Sequence, residues 1–238
     1  MPAETPGTGV APATAEPATD DRTGSPEAKP RRADAQRNRQ RVLDAAEDLF
    51  ARSGVGVPVD EIARVAGVGV GTVCRNFPTK QDLIDAVLVR MFEDLVVNAR
   101  AALAHDDPVE GFESYVFSLS DLQVRHRALG QHMARQLEWP ASAMALRTEL
   151  RATTTTLLDR AQAAGAVRDD ISPADLSMLF AGIAQLVALS DGRGDALRKR
   201  YVTIVLDGLR PAAQAGPLPA EPLTYDQLDD LSRAHADE

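Results

Sequence analysis

The stretch from Pro58 to Lys80 constrains the fold of this chain more than any other. In the sequence PVDEIARVAGVGVGTVCRNFPTK, apolar residues recur at helical spacing from Val59 to Ala66. Gly67 then interrupts the run where a tight turn requires a positive φ. The apolar pattern resumes with Val73, inside a second short segment from Val70 to Asn76. The pattern predicts two helices that cross at a glycine turn, which is a helix-turn-helix.

The second of these helices carries a mixed set of side chains around one apolar residue. If Val73 turns inward, the outward positions are Val70, Gly71, Thr72, Arg75 and Asn76. Hydroxyl, amide and guanidinium groups on a helix can contact base edges and phosphates in a DNA major groove. A sequence-specific DNA-binding regulator is therefore the leading hypothesis.

A new helix is expected to begin directly after this motif. Thr79 is predicted to be its N-cap, and Asp82 three residues later completes a capping box. Lys80 would then lie in the first turn, where a cation opposes the helix dipole. An external anion such as a DNA phosphate accounts for that placement. A solvated surface lysine is the alternative.

Residues from Ala35 to about Leu95 resemble the DNA-binding domain of the TetR family of one-component transcriptional repressors. The resemblance rests on RQRVLDAAEDLFARSG, on DEIARVAGVGVGT and on RNFPTKQDLIDAV. Cys74 departs from the family pattern, which has a tyrosine that contacts the DNA backbone at this position. Pro58 replaces the usual Ser or Thr cap, and Asp60 and Glu61 favour the dipole instead.

The resemblance implies an N-terminal three-helix DNA-binding domain followed by a C-terminal helical domain for ligand binding and dimerisation. A long fourth helix would connect the two domains. As implied by the family, the homodimer would bind double-stranded DNA at a palindromic operator. A small-molecule effector, whose identity the sequence does not give, would shift the fourth helix and release the operator.

Composition and local charge agree with this hypothesis. Aromatic residues make up 4% of the 238 residues, and alternating β-branched runs are absent, which favours an all-α fold. The formal charge of −9 conceals a basic segment from Arg22 to Arg41, with seven basic and two acidic residues. Such a segment can follow DNA phosphates, although a solubilising disordered leader is an alternative for its first residues. The predicted DNA contacts are Arg37, Arg39, Val70, Gly71, Thr72, Cys74, Arg75, Asn76 and Lys80.

We expect four segments along the chain. Residues 1–32, rich in Pro, Ala, Thr and Gly, should form a disordered N-terminal arm. Residues 33–95 should form the DNA-binding domain and residues 96–210 the ligand-binding and dimerisation domain. Residues 211–238 should form a flexible C-terminal tail, although 225–233 has the pattern of a short amphipathic helix whose acidic residues could equally stay solvated.

An apolar ligand pocket is expected among the helices from about residue 108 to residue 164. The candidate contacts are Phe112, Tyr115, Phe117, His132, Met133, Trp139, Met144 and Thr153. Each of them could equally belong to the core or the surface. His126 and His132 lie six residues apart, so they do not share a helix face as metal ligands. We expect neither a metal nor a cofactor.

Two segments near the C-terminal end are predicted to form the dimer interface. They run from Ala174 to Leu189 and from about Asp195 to Leu209, joined by a turn containing two glycines. On the resemblance, two such helix pairs pack across a two-fold axis. An ordinary intrachain core is the alternative. The predicted interface residues are Ala181, Ala184, Gln185, Ala188, Val202, Val205, Leu206 and Leu209.

Other function classes find little support in the sequence. A phosphate-binding glycine loop, a GxSxG elbow and an HExxH motif are all missing, so the chain is not expected to be an enzyme. With one cysteine and no apolar stretch of 18 residues, it is expected to be cytoplasmic. Redox sensing by Cys74 has no resolving cysteine to support it. The other hypothesis is a helical ligand-binding or partner-binding dimer whose DNA head is inactive.

Overall fold

The computed structural model describes residues 28–133, 139–188, 194–211 and 216–234. Within these ranges the chain forms ten α-helices and no β-strand, so the all-α prediction is confirmed. The helices are α1 Ala28–Ser53, α2 Val59–Ala66, α3 Val70–Asn76, α4 Lys80–Leu103, α5 Pro108–Arg125, α6 Arg127–Met133, α7 Ala141–Ala163, α8 Pro173–Ala188, α9 Gly194–Leu209 and α10 Tyr225–Ala234.

The first helix is longer than the sequence pattern suggested. It begins at Ala28 rather than near Ala35, and so includes the last residues of the segment expected to be a disordered arm. Local side-chain pairs support this extension, since Arg37 pairs with Asp34 one turn away. Residues 1–27 lie outside the described residues. The predicted apolar stripe is buried throughout: Val42, Ala45, Ala46, Leu49 and Phe50.

The helix-turn-helix forms as the glycine pattern predicted. Gly67 has a φ of 63°, and the Val68 N–H donates to the Ala63 carbonyl at 3.0 Å. This bond closes α2 with a left-handed C-terminal cap. Ile62 of α2 and Val73 of α3 are buried against α1. The three helices therefore form one small core, the DNA-binding head.

Helix α4 belongs to both halves of the molecule. Its start has the predicted capping box, in which Thr79 and Asp82 exchange backbone and side-chain hydrogen bonds. Leu83 and Leu88 are buried in the first part of the helix, which packs on α1. Further along, α4 packs against α5 and α7. Because a helix of 24 residues is about 36 Å long, α4 connects the head rigidly to the C-terminal domain.

The junction of α4 and α5 depends on a glycine. Asp107 caps α5 and Pro108 occupies its first turn, as predicted. A Cβ added at Gly111 would lie 2.6 Å from the carbonyl oxygen of Ala102 in α4. Such a distance is closer than van der Waals contact permits. The close approach of these two helices therefore requires glycine at this position.

Helices α5 to α9 form the core of the C-terminal domain. Leu158 of α7, Phe180 of α8 and Val202 of α9 are almost completely buried there. Helix α6 is described from Arg127 to Met133, and residues 134–138 lie outside the described ranges. The turn between α8 and α9 also lies outside them. No helix in the described ranges combines the length and apolarity needed to cross a bilayer.

Residues 216–234, within the segment expected to be a flexible tail, contact the C-terminal domain. The Leu218 N–H donates to Asp170 at 2.9 Å, and the Ser172 hydroxyl donates to the Leu223 carbonyl at 2.7 Å. Helix α10 then packs beside α8. The sequence pattern does not show these contacts, because the tail is held by partners far away in the chain.

Candidate functional site

Helix α3 presents a solvent-exposed face beside a buried anchor. Val73 is buried, whereas Val70, Gly71, Cys74 and Arg75 are exposed. Thr72 and Asn76 are half-buried at the edge of the same face. All the predicted contacts on α3 therefore lie on or beside one accessible surface, as the helical pattern indicated.

Polar side chains on α3 bond to their own helix. The Arg75 Nε donates to the Gly71 carbonyl at 3.0 Å, and its Nη2 donates to the Thr72 hydroxyl at 3.3 Å. The Asn76 amide donates to the Thr72 carbonyl at 2.8 Å. All three bonds are short-range, and the two Arg75 bonds are exposed, so they can exchange for bonds to a nucleic acid at little cost.

Further cations surround this face. The Arg39 guanidinium lies 5.0 Å from the centre of the Phe77 ring, which follows α3 directly. Arg37 is exposed and pairs with Asp34, and Lys80 is the half-buried first residue of α4. Arg41 lies beside the turn at Gly67. Several cations of the head therefore lie on α3 or on the elements next to it, although the chain as a whole is acidic.

A cavity of about 430 Å³ lies in the C-terminal domain, within the size range of small-molecule sites. Its walls come from five helices and the start of α6. The apolar wall consists of Met91, Phe92, Leu95, Leu119, Leu122, Leu150, Ala181, Ala184 and Leu228. The polar wall consists of Tyr115, Gln123, His126, Arg127, Arg147, Arg151, Thr154, Ser177, Gln185 and Tyr225.

One polar pair in this wall is satisfied internally. The Tyr115 and Thr154 hydroxyls hydrogen-bond at 2.5 Å, and both residues are buried. Burial raises the pKa of Tyr115 and outweighs the opposing effect of this hydrogen bond, so Tyr115 stays protonated. This pair ties α5 to α7 across the cavity wall.

Two other buried polar atoms in the wall have no hydrogen-bond partner within the described residues. They are Gln123 Oε1 and His126 Nε2. An unsatisfied buried acceptor has a free-energy cost that a ligand donor can remove. Burial, together with Arg125 and Arg90, lowers the pKa of His126 to about 4, so this imidazole is neutral at pH 7.

His126 also faces the DNA-binding head. Its Nε2 lies 3.5 Å from Glu47 Oε1 of α1, and Arg90 of α4 contacts both Glu47 and Asp44. Burial, only partly offset by Arg90, raises the pKa of Glu47. Helices α1 and α6 are also in contact. The cavity wall and the head therefore meet directly at these side chains.

Two arginines in the cavity wall bind a carboxylate from the end of the chain. Arg151 donates to both oxygens of Asp229, at 2.9 and 2.6 Å, and Arg147 also pairs with Asp229. The Arg151 guanidinium lies 4.2 Å from the centre of the Tyr225 ring. Burial alone would raise the pKa of Asp229, but the two arginines outweigh it and lower that pKa.

Tyr115 is the predicted ligand residue that lines this cavity. Phe112 is buried elsewhere in the core, and Phe117 is half-buried outside the wall. The other predicted residues with described side chains also lie outside the cavity wall: His132, Trp139, Met144 and Thr153. The Met133 side chain lies outside the described residues. Helix periodicity in the sequence identified apolar residues, but it did not show which helix faces line the cavity.

The predicted dimer residues with described side chains lie in the core or in the cavity wall of their own chain. Val202, Leu206 and Leu209 are buried in the core of their own chain, and Val205 packs against it. Ala181, Ala184 and Gln185 line the cavity, and the Ala188 side chain lies outside the described residues. An exposed apolar face, here called the α8–α9 face, lies on the other side of these helices and comprises Met178, Leu179, Leu186 and Ile204. The position of the dimer interface therefore stays a prediction, and the exposed apolar side chains of these two helices lie on this other face.

Sequence reasoning also missed Gln123, Arg147, Arg151 and Asp229. One signal was available, because Arg147 and Arg151 are four residues apart and share a helix face. Two like charges on one face call for a counter-ion. The sequence gives no indication that this counter-ion is Asp229, 78 residues from Arg151.

Two family profiles match the chain. Residues 42–87 match the bacterial regulatory proteins of the tetR family, and residues 107–211 match the C-terminal domain of SbtR-like transcriptional regulators. Among solved structures, a TetR regulatory protein of Mycobacterium vanbaalenii is 38% identical, with a TM-score of 0.57, covering 76% of this chain and 100% of its own. A TetR regulator of Streptomyces coelicolor is 31% identical, with a TM-score of 0.58, covering 74% and 99%.

Curated relatives are also helix-turn-helix regulators. A transcriptional regulator of Staphylococcus aureus is 34% identical over 104 residues, which cover 42% of this chain and 55% of the relative. The regulator UidR of Escherichia coli is 28% identical over 159 residues, which cover 62% of this chain and 78% of UidR. The match to the tetR family covers residues 42–87, which include α2 and α3.

Proposed function

This chain belongs to the TetR family and is a DNA-binding transcriptional regulator, and we propose that it acts as a dimeric repressor that a small molecule releases from a palindromic operator. The observation that carries this proposal is the position of α4. Its first residues, including Leu83, pack in the head, and Met91, Phe92 and Leu95 line the cavity. A ligand in contact with α4 can therefore change the orientation of the head.

A second contact supports coupling between the cavity and the head. His126 lines the cavity and faces Glu47 of α1, which also pairs with Arg90 of α4. A ligand that displaces His126 would disturb this cluster without touching the head itself. The factor by which the ligand lowers operator affinity equals the factor by which the operator lowers ligand affinity.

The α8–α9 face supports a dimer. Leu186 is 55% exposed and Ile204 is 53% exposed, although both are large and apolar. Exposed apolar faces of this kind on packed helices mark association sites. A two-fold dimer through this face would present two α3 helices, as a palindrome requires.

The side chains of the head are suited to different contacts with DNA. Arg75 and Lys80 are cations suited to phosphates or guanine, whereas Thr72 offers a hydroxyl and a methyl group to a base edge. Thr72→Ala should therefore change sequence preference more than overall affinity. An equal loss of affinity on every DNA sequence would contradict this role.

The cavity supports an effector with a mainly apolar body. Such a body would bury the leucine and phenylalanine side chains of the wall. Gln123 Oε1 can accept a hydrogen bond from a hydroxyl or amide group of the ligand. This contact would remove the cost of an unsatisfied buried acceptor.

Selection of bound sequences from a random DNA library tests the proposal. We expect a palindrome of roughly 10 to 20 base pairs, whose affinity falls steeply as salt increases. Ligand screening would then measure release of that operator. Absence of enrichment from protein freed of bound ligand by unfolding and refolding would contradict the proposed function.

A further inference from the structure

The C-terminal helix places a carboxylate on two arginines of the cavity wall. Asp229 accepts from both terminal nitrogens of Arg151 and pairs with Arg147. The side chains of all three residues are largely buried, with exposed fractions of 17% for Asp229, 19% for Arg147 and 21% for Arg151. Arginine forks of this kind recognise carboxylates by two parallel hydrogen bonds.

Helix α10, which carries Asp229, and the segment that precedes it are held by different contacts. Upstream of α10, backbone bonds to Asp170 and Ser172 hold residues 218 and 223 on the domain. The helix itself begins with a local capping box between Thr224 and Gln227. Helix α10 can therefore leave the cavity while the preceding segment stays attached, and a helix of ten residues away from the domain is only marginally stable in water.

Helix α10 also closes one side of the cavity. Tyr225 and Leu228 line it, and the Tyr225 ring stacks against Arg151. The two arginines line the same cavity, so the anion site and the apolar wall are continuous. A molecule with a carboxylate on an apolar body matches both features at once.

We propose that Arg147 and Arg151 are the anion subsite of the effector cavity, that the effector is an amphipathic carboxylate, and that Asp229 occupies this subsite when the effector is absent. This inference rests on the proposed function and specifies its ligand class. Exchange of one carboxylate for another keeps the two guanidinium charges compensated. An uncharged ligand of the same shape offers no such exchange, so Asp229 and α10 stay in place.

Tryptophan fluorescence can measure this exchange. Trp139 is the single tryptophan of the chain, and its ring lies 4.8 Å from the Arg147 guanidinium and 5.9 Å from the Phe92 ring. We would titrate the full chain with straight-chain monocarboxylates of roughly six to twelve carbons, a size suited to this cavity. Primary alcohols of the same lengths provide the uncharged comparison.

We expect the best carboxylate to bind about tenfold or more tightly than its matched alcohol, because it gains charge-assisted hydrogen bonds. Asp229→Asn should raise carboxylate affinity about tenfold, because it removes the internal competitor, and should leave alcohol affinity unchanged. Asp226→Asn is the matched control, since Asp226 is an exposed acid on the same helix. Arg151→Gln should abolish the preference for carboxylates.

Hydrogen exchange provides a second readout. Carboxylate binding should speed exchange of the α10 amides, whereas alcohol binding should not. Equal binding of carboxylates and alcohols, binding of neither, or an unchanged preference in folded Asp229→Asn would each overturn the proposal. Operator binding separates the two hypotheses. If only uncharged molecules release the operator, the proposed function stands and the carboxylate subsite fails; if the protein binds no operator, the fluorescence result still decides the subsite.

Discussion

The DNA-binding head and the cavity domain hold their polar side chains in different ways. In the head, Arg75 bonds to Thr72 and Gly71, three and four residues away. In the cavity domain, Arg151 bonds to Asp229 across 78 residues, and Tyr115 bonds to Thr154 across 39. Short-range pairs on a surface leave side chains available for a partner, whereas long-range buried pairs fix the shape of a cavity.

Arg198 is a further example of the second type. It is buried, donates to the Ser120 hydroxyl at 2.9 Å and to the Phe117 carbonyl at 3.2 Å, and pairs with Asp195. The buried Arg198 charge joins α9 to α5. It is stable in this position only because all of these partners compensate it. The cavity domain therefore depends on tertiary contacts that a local sequence pattern does not contain.

The largest effect should come from the α8–α9 face, the proposed dimer interface of the cavity domain. Leu186→Glu would bury a charge in the proposed interface, so we expect dimer dissociation constants to rise about a hundredfold or more. Sedimentation should show monomers with unchanged helix content. The control is Val97→Glu, because Val97 is also an exposed apolar residue but belongs to α4. A Leu186→Glu protein that stays dimeric would exclude this face as the interface.

The next effect concerns His126, where the two regions meet. Because the folded pKa of about 4 is below the ordinary value near 6.5, the unfolded chain binds a proton first as pH falls. Its contribution, up to about 3 kcal/mol, is complete above pH 6.5 and is lost as pH falls towards 4. Glu47, with a raised pKa, acts in the opposite direction, and Arg125, Arg90 and Asp121 also face the imidazole.

Denaturant unfolding between pH 7 and pH 4.5 measures this contribution. His126→Gln should lose less stability over that range than the unaltered protein. His105→Gln changes an exposed histidine and should behave like the unaltered protein. Identical pH profiles for His126→Gln and the unaltered protein would show that protonation of His126 does not affect the free energy of unfolding.

A substitution at the α4–α5 junction should have a smaller effect. Gly111→Ala places a methyl group against the Ala102 carbonyl, so we expect a loss of about 2 kcal/mol in unfolding free energy. At Gly130 an added Cβ meets nothing within 4 Å, so Gly130→Ala should be neutral or slightly stabilising. Thermal unfolding of both variants compares them directly. Equal stability would mean that the two helices can separate at this point without cost.

The smallest free-energy change is expected in the head, and it should affect binding rather than folding. Arg75→Ala and Lys80→Ala should each weaken operator binding about tenfold, while stability stays within about 0.5 kcal/mol. Arg100→Ala removes a cation that pairs with Glu149 in the C-terminal half and should not affect DNA binding. If Arg75→Ala or Lys80→Ala lowers the free energy of unfolding by more than this, the exposed side chains of the head also stabilise the fold. The contrast with the buried pairs of the cavity domain would then not hold.

Sequence reasoning was most successful where structure depends on neighbours in the chain. The bounds of α2 and α3 followed from the apolar spacing and Gly67, and the start of α4 followed from Thr79 and Asp82. These signals act within one or two helical turns. The roles of Arg75, Thr72 and Lys80 on DNA remain predictions, because contact with a partner is not encoded in the helix itself.

Sequence reasoning does not assign the faces of a helix that is apolar on two sides. Helix α8 carries Phe180 and Ile183 towards the core, and Leu179 and Leu186 towards solvent. Composition alone does not distinguish these faces, so the predicted interface residues included core and cavity residues. The pattern of α10 was visible in the sequence, but its partners were not, since Asp229 meets Arg147 and Arg151 only after the domain has folded.

The sequence by itself determined the helical class, the glycine turn, the helix caps and the exposed polar face of α3, because each depends on residues within a few positions of one another. The tertiary structure alone decided which helix faces enclose the cavity, that Gln123 Oε1 remains unsatisfied there, and that Asp229 lies on two arginines. Those features depend on the crossing of helices distant in the chain, where burial and paired charges act together.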